Sequence, residues 1–403
     1  MRVRQGRGRV AVVGGSIAGL FAALLLRGRG WDVMVFERAT EALSGRGAGI
    51  VTHPQLDRAL ELAGAAPAEG VEVWRRLVLG ADGAVVASHA LRQRMTSWDQ
   101  LWRRLREALP DECYRLGVEF TGFGQRADGI DVRLADGTVW PADVMVGADG
   151  LRSAVRTVLV GDREPLYAGY VAWRGLVPEG ALSAAAREVL FSAMAFCLPP
   201  GEQMVGYPVG GRNDDLRPGH RRFNWVWYRP ADPAVALPAL LTDRNGQRHA
   251  VSIPPPLVRD EAVSAMREAA AALLAPAFQE VVEATERPFL QPIYDLESPL
   301  LAEGRVALIG DAAFVARPHV GAGTTKAAED ALALADALDR AEPVAALAEY
   351  ARLRRPEGQR LLRRARHLGA YMQAEQGSEE ERSAAERHRT ANAVLGETAI
   401  LTF

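Results

Sequence analysis

Val306-Ala-Leu-Ile-Gly310-Asp311-Ala-Ala-Phe314 is followed, after three residues, by Pro318-His319-Val-Gly321-Ala-Gly323-Thr324-Thr325-Lys326-Ala-Ala-Glu-Asp330. The first run predicts an apolar strand ending at Gly310-Asp311. A Pro/Gly-rich loop follows, and a helix opens near Thr324. That arrangement offers one carboxylate and a row of backbone N–H groups to something polar and partly anionic. Far upstream, Gly14-Gly15-Ser16-Ile-Ala18-Gly19 is built for the same purpose. Two such loops at opposite ends of one chain point to a single long cofactor gripped by both.

Val10-Ala-Val-Val13 is a continuous apolar run of the kind buried in a parallel sheet. A helix is expected from about Ile17 to Arg29, with Gly30 as its stop signal. Asp32 to Phe36 reads as the next strand, with Glu37 at its end, completing a β-α-β unit. The fingerprint thus has its required strand before and helix after, although Ser16 stands in place of the second glycine. Glu37 lies where a carboxylate accepts hydrogen bonds from a ribose. Gly45 to Pro54 is too glycine-rich for a helix or ordinary strand and reads as a loop bringing backbone close to a ligand.

Pro54 to Ala63 and Ser97 to Leu109 have helical spacing, and Ile130 to Trp140 is a hairpin turning at Asp136-Gly137. Val144-Met-Val-Gly147-Ala-Asp149-Gly150 is again a strand running into glycine. Taken alone, Asp149-Gly150 is equally a turn with Ser153 capping a helix. Asp311 is equally a local cap. Three such turns on three strand ends, in this order, favour a shared ligand.

From Tyr167 to roughly Ala231 the texture changes. Trp173, Phe191, Phe196, Tyr207, Phe223, Trp225, Trp227 and Tyr228 appear with strand-like alternation between Pro/Gly turns, which predicts an antiparallel sheet forming a second lobe. Tyr207, Phe223, Trp225 and Trp227 are candidates for an apolar wall over the cofactor, each equally consistent with core packing. Helical signals return from Val258 to Glu283, from Thr324 to Arg340 and from Pro343 onward, and Gly377 to Arg389 is strongly charged. The fold expected is α/β: a discontinuous Rossmann-like domain (1–70, 97–165, 291–342), a β-sheet-rich lobe (71–96, 166–290) and C-terminal helices (343–403).

Composition sets the bounds. The 403 residues are 48% hydrophobic and 24% charged with a net charge of −2, which argues against a general nucleic-acid or anionic-membrane role. Lys326 is the only lysine, and a GC-rich coding bias accounts for the abundance of arginine. Cys113 and Cys197 are isolated and the seven histidines form no ligand pair, so neither a redox disulfide nor a metal site is expected. The basic start lacks a signal peptide's apolar segment and cleavage site, and no run reaches membrane-spanning length. A cytoplasmic enzyme, with homo-oligomerisation open, is the expectation.

Gly14 to Leu20, Gly45 to Pro54, Tyr167-Ala-Gly-Tyr-Val-Ala-Trp-Arg174-Gly175 and Arg317-Pro318-His319 together resemble the FAD-dependent aromatic hydroxylases of the para-hydroxybenzoate hydroxylase fold. The resemblance spans essentially the whole chain and is greatest to the 2,6-dihydroxypyridine 3-hydroxylase branch. It implies that Gly14, Ser16, Ala18, Gly19 and Glu37 hold the ADP half of FAD, with Arg38 beside the adenine. It places Val51, Asp149 and Gly150 along the cofactor and Asp311 at the ribityl chain. Pro318, Gly321, Gly323, Thr324 and Thr325 would line the isoalloxazine ring. No second strand–glycine loop–helix unit with an acidic partner appears, so no dedicated NAD(P)H domain is expected, and the resemblance implies that NADH or NADPH docks only transiently.

With O2, the chemistry implied is hydroxylation of an electron-rich, hydroxypyridine- or phenol-like ring through a flavin hydroperoxide. His53 and His319 are the candidate catalytic bases. His53, Tyr207, Phe223, Trp225, Pro318 and His319 are the candidate substrate contacts, and Arg46 and Arg174 are further candidates without a place. Two residues depart from the family pattern: Trp98 stands where many members carry an FAD-contacting arginine, and Phe314 replaces the usual histidine. A reductase or oxidase on the same scaffold, and a non-catalytic flavin sensor, are the alternative readings.

Overall fold

The computed structural model describes residues 7–43 and 49–401. Gly45, Arg46 and Gly47 of the glycine-rich loop therefore lie outside the described residues.

One sheet carries the two fingerprint loops. Its strands run in the order Ala302–Glu303, Val306–Leu308, Val144–Gly147, Arg9–Val13, Asp32–Glu37 and Tyr114–Leu116. All neighbours are parallel except the first pair. The central strands are buried on both faces, which explains their unbroken Val/Met/Leu character. Helix Ile17–Gly28 is apolar nearly all round because it is sandwiched between this sheet and helix Gly323–Arg340. Phe120–Gln125, Ile130–Leu134 and Val139–Ala142 form a separate small antiparallel sheet.

The second large sheet has nine strands, in the order Phe314–Val315, Phe289–Glu297, Leu166–Pro178, Arg222–Pro230, Gln203–Val209, Met194–Cys197, Val71–Leu79, Val85–Ser97 and Gly49–Val51. It is antiparallel except where Met194–Cys197 runs parallel to Val71–Leu79. Gly49–Val51 corrects the expectation of a plain loop, because it pairs with Met95–Ser97 as an edge strand. Glycine is required at 49 for a packing reason. Its N–H donates to Asn224 Oδ1 at 2.8 Å, and a Cβ there would lie 2.4 Å from the Tyr207 ring. The helical signal of Val258 to Glu283 resolves into Asp260–Leu273 and Pro276–Glu283, since Pro276 cannot continue a helix but starts one well. Helix Pro343–Gly369 and the shorter C-terminal helices close the molecule.

Candidate active site

Strand order creates the site. In a parallel sheet, ligands bind outside the carboxyl ends of the strands. Four adjacent strands, Val306–Leu308, Val144–Gly147, Arg9–Val13 and Asp32–Glu37, end in that order at Asp311, Asp149, Gly14 and Glu37. Three strand spacings separate the first from the last, about 14 Å by ordinary sheet geometry. Asp311, Asp149, Gly14, Glu37, Ser16, Ala18 and Arg38 all line one cavity of about 1030 Å³.

The first turn is built for close approach. Gly14 has φ +107°, and a Cβ on it would fall 2.4 Å from the Ala148 carbonyl oxygen, so no other residue fits. Glu37 accepts from the Gly15 and Ala39 N–H groups, both at 2.8 Å, which aims its carboxylate along the turn. The Gly15 carbonyl in turn accepts from Trp102 Nε1 and the Tyr114 hydroxyl. Ser16 caps helix Ile17–Gly28 in position only. Its side chain makes no capping hydrogen bond and stands on the cavity wall. Gly19 is corrected as a cavity residue: a Cβ there would lie 1.9 Å from the Gly14 carbonyl oxygen, so it packs the helix against the turn.

The Asp149 turn does both things weighed for it. Its carboxylate accepts from Ser153 Oγ at 2.5 Å and the Val155 N–H at 3.1 Å, opening helix Ala154–Val160, while it and Gly150 remain on the cavity wall. Burial pushes its carboxyl above the usual range. Arg156, a residue the motif reading left without a role, bonds the carbonyls of Leu151 and Ala312 and so ties the second turn to the third.

The third turn rests on the sole lysine. Lys326 Nζ donates to the Gly310 carbonyl at 2.7 Å and to Asp330 Oδ2 at 3.0 Å. Asp330 also accepts from the Gly310 N–H and, through Oδ1, from Arg354 Nε. Burial alone would raise the Asp330 carboxyl, but Lys326 and Arg354 overcome it and hold it below the usual range. The turn so fixed presents Asp311 to the cavity, and no hydrogen bond from the described residues reaches its carboxylate. Asp311 is exposed on the cavity wall, and desolvation by the protein packed around the cavity raises its pKa, with Lys326 opposing. Phe314, by contrast, packs against Gly358 and is off the cavity wall.

Pro318, His319, Gly321, Gly323 and Thr324 line the cavity, whereas the Thr325 side chain turns toward Lys326 and Arg354 on the far side of the helix. Thr325 is therefore corrected as a wall residue. His53 is corrected too. It caps helix Pro54–Leu62 in position, is off the cavity wall, and places Nε2 3.0 Å from the Gly321 carbonyl. It braces the loop rather than facing a substrate. His319 does reach the cavity wall, buried with Nε2 2.8 Å from the Tyr170 hydroxyl and its ring 4.2 Å from that of Tyr228. Burial first, then Arg317 and Arg174, push its pKa well below the ordinary histidine value.

The same loop is held by the C-terminal segment. The Ala399 N–H donates to the His319 carbonyl at 2.7 Å, and Thr398 and Ala399 line the cavity. Arg76, fully buried, donates to the carbonyls of Leu395 and Thr398 and pins that segment. Desolvation lowers the Arg76 pKa to about 10. Nothing in the local sequence around Arg76 signals this task.

Alternation decides the aromatic wall. In strand Arg222–Pro230, Phe223, Trp225 and Trp227 share one face, and Asn224, Val226 and Tyr228 share the other. The first face packs on helices Ala184–Leu190, Asp260–Leu273 and Pro276–Glu283, with Trp225 Nε1 donating to Thr285 Oγ1 at 2.9 Å. Phe223 and Trp225 are thus core residues, not substrate contacts. The cavity face carries Val226 and Tyr228, joined across the sheet by Val205, Gln203, Tyr207 and Arg174. Trp98 also lines the cavity and stacks on Trp102.

Residues 9–151 match the family model described as FAD dependent oxidoreductase, and residues 167–295 match the one described as FAD binding domain-like. The 2,6-dihydroxypyridine 3-monooxygenase of Paenarthrobacter nicotinovorans is 35% identical, covering 81% of this chain and 82% of its own. The 3-amino-4-hydroxybenzoate 2-monooxygenase of Streptomyces cremeus is 32% identical over 92% of this chain and 89% of its own. The solved 2,6-dihydroxypyridine-3-hydroxylase from Arthrobacter nicotinovorans superposes with a TM-score of 0.85 at 32% identity, covering 93% of this chain and 95% of that one. Among the described residues no helix is long and apolar enough to cross a membrane, and no cluster of metal-ligating side chains occurs.

Proposed function

The chain belongs to the FAD-dependent aromatic monooxygenases, and on that premise we propose that it hydroxylates a hydroxypyridine- or phenol-like ring held against the second sheet. One observation carries this reading: a single cavity runs from the four strand-end turns to the face bearing Arg174, Tyr207 and Tyr228. The relatives named for their substrates act on small hydroxylated aromatic rings, which suits that face.

The residues present fit FAD. Gly14 forms a cradle that a Cβ would fill, Gly150 and Gly323 leave open space where theirs would be, and Asp311 lines the cavity with a carboxylate that accepts no hydrogen bond from the described residues. In this reading the N–H groups at the start of helix Ile17–Gly28 take the pyrophosphate, and Glu37 takes the ribose hydroxyls. Asp311 takes hydroxyls of the ribityl chain. The first N–H groups of helix Gly323–Arg340, which lack intrahelical acceptors, face the ring system. When bound, FAD supplies electron transfer from NAD(P)H and activation of O2.

The chain's own contributions are positioning and exclusion of water. Val205, Val226 and Ile293, with the rings of Tyr207 and Tyr228, make an apolar floor against which a flat substrate lies. His319 stays neutral and is held by Tyr170, so it orients the loop and touches the ring pocket without carrying charge. A cytoplasmic location belongs to the same reading.

The decisive experiment uses the FAD-loaded protein, NADH or NADPH, and a panel of hydroxypyridines and phenols under 18O2. Substrate-stimulated NAD(P)H oxidation with 18O in the product is the expected result. Hydrogen peroxide release with no labelled product from any ring would refute it and favour a reductase or oxidase.

A further inference from the structure

Arg174 lies on strand Leu166–Pro178, and its register places it directly across from Val226, which itself faces Val205. All three therefore share the cavity face, and all three line the cavity. Arg317, the other arginine nearby, is neutralised by Asp295 at 2.9 Å. Arg174 has no ion-pair partner among the described residues. Its Nε is buried without a hydrogen bond, and its guanidinium lies against the Tyr228 hydroxyl.

A half-buried cation without a counter-charge is costly, and a ligand that supplies the charge recovers that cost. The surroundings strengthen the demand. The ionisable side chains lining this end are Arg174, Arg317, Tyr207, Tyr228, Tyr294 and His319, and the buried Asp295 carboxylate behind them is taken up by Arg317 and Arg366. Burial raises the three tyrosine hydroxyls, so they remain protonated donors, and lowers His319, so it adds no charge. The cavity's carboxylates, Glu37, Glu41, Glu119, Asp149 and Asp311, belong to the other sheet's loops and strand ends. Among the described residues, the charges acting on His319 are those of Arg317 and Arg174. One end of the cavity is acidic; the ring end is cationic and rich in donors.

We propose that Arg174 is the anion-binding residue of the ring pocket, so that the protein selects aromatic substrates bearing an anionic oxygen, as a carboxylate or an ionised ring hydroxyl, over neutral rings of the same shape. The assignment rests on the monooxygenase reading, and it makes substrate ionisation a matter of the Arg174 field rather than of a histidine base. A guanidinium meets a carboxylate in two parallel bonds but a ring oxyanion in one, so either source satisfies the same group.

The test measures binding by perturbation of the flavin absorbance in FAD-loaded wild type, Arg174→Gln and Arg174→Lys. Two pairs of probes separate the sources: 4-hydroxybenzoate against 4-hydroxybenzamide, and 2,6-dihydroxypyridine against its 2,6-dimethoxy analogue, which cannot ionise. Wild type should bind the ionisable member of at least one pair about tenfold or more tightly than its neutral partner, a difference of about 1.4 kcal/mol. Arg174→Gln should abolish that preference by weakening the anion while leaving the neutral probe unchanged, and Arg174→Lys should restore part of it. Equal binding within both pairs in wild type, or a preference surviving in Arg174→Gln, would overturn the proposal. So would an unchanged ring preference accompanied by a raised KM for NAD(P)H. Preference for the anion without oxygen incorporation would instead overturn the monooxygenase reading and leave Arg174 supported.

Discussion

Replacing Lys326 with methionine keeps the volume of the side chain and removes its charge. The Gly310 carbonyl then loses its donor, and Asp330, only 3% exposed, keeps Arg354 and the Gly310 N–H as its remaining partners. Removing one member of a buried pair costs about 3–5 kcal/mol, and because Arg354 still compensates Asp330 the expected loss is at the lower end, about 3 kcal/mol. With an unfolding entropy of about 2.1 cal/mol/K per residue, a chain of this length that melts as a unit should lose about 4 °C in Tm. The turn that carries Asp311 loosens at the same time, so FAD should dissociate at a lower temperature than the protein melts. Differential scanning fluorimetry read at both tryptophan and flavin wavelengths measures the two events together. Lys326→Arg is the sharper variant, since 48 basic residues include this single lysine. A planar guanidinium on a longer stem cannot sit where one ammonium meets both the Gly310 carbonyl and Asp330, so a loss is expected here too. If Lys326→Arg matches wild type in Tm and flavin release, the lysine is interchangeable with the arginine used everywhere else in the chain and the account of the turn is wrong.

Gly14→Ala should fold poorly or lack FAD, because its Cβ would lie 2.4 Å from the Ala148 carbonyl oxygen; a purified variant with wild-type flavin content would refute the cradle. His53→Ala should cost about 1–2 kcal/mol through the lost Gly321 contact, lowering Tm and flavin retention, while the pH profile of kcat stays as in wild type. Trp225→Ala should destabilise by about 3–5 kcal/mol without changing substrate KM, since the ring lies in the far core; a specific rise in KM would contradict its placement. His53 and His319 are both held below the ordinary histidine value by burial, so the unfolded chain takes up protons first. Stability should be complete above about pH 6.5 and fall as pH drops below it, and His319→Gln should flatten that slope in urea titrations taken at several pH values.

The strand-end turns were legible because each carries its own local chemistry. Gly14 needs a positive φ, Glu37 ends a strand at the distance a β-α-β unit sets, and Gly310-Asp311 interrupts an apolar run. These are short-range constraints, and they survive into the fold as a row on one sheet edge. The Gly49–Val51 strand was not legible, because its glycine answers a neighbour far along the chain, Asn224, rather than a local turn. Phe223, Trp225 and Trp227 show a different kind of limit. Their spacing correctly marks a strand, but alternation assigns only two faces and leaves open which one faces the cavity. The polar members of the strand held the missing sign: Asn224 shares its parity with Tyr228, and a sheet face that meets polar ligands keeps polar side chains.

His53 was misplaced for a related reason, whereas His319 does line the cavity. His53 sits in a glycine-rich stretch beside Pro54, which fits a ligand loop and a structural brace equally well until its acceptor is known. That acceptor is a carbonyl oxygen, and so are the partners of Arg76 at Leu395 and Thr398 and of Arg156 at Leu151 and Ala312. Carbonyls occur at every position, so bonds to them leave no residue pattern for a sequence reading to find. Side chains that meet other side chains, such as Lys326 with Asp330 four residues on, do leave one. The parts of this site that sequence could reveal are therefore those that bind the cofactor through composition and spacing. The parts that shape the ring pocket act through the backbone of distant segments, and substitutions at Arg76 or Arg156 should disturb the cavity although neither residue lines it.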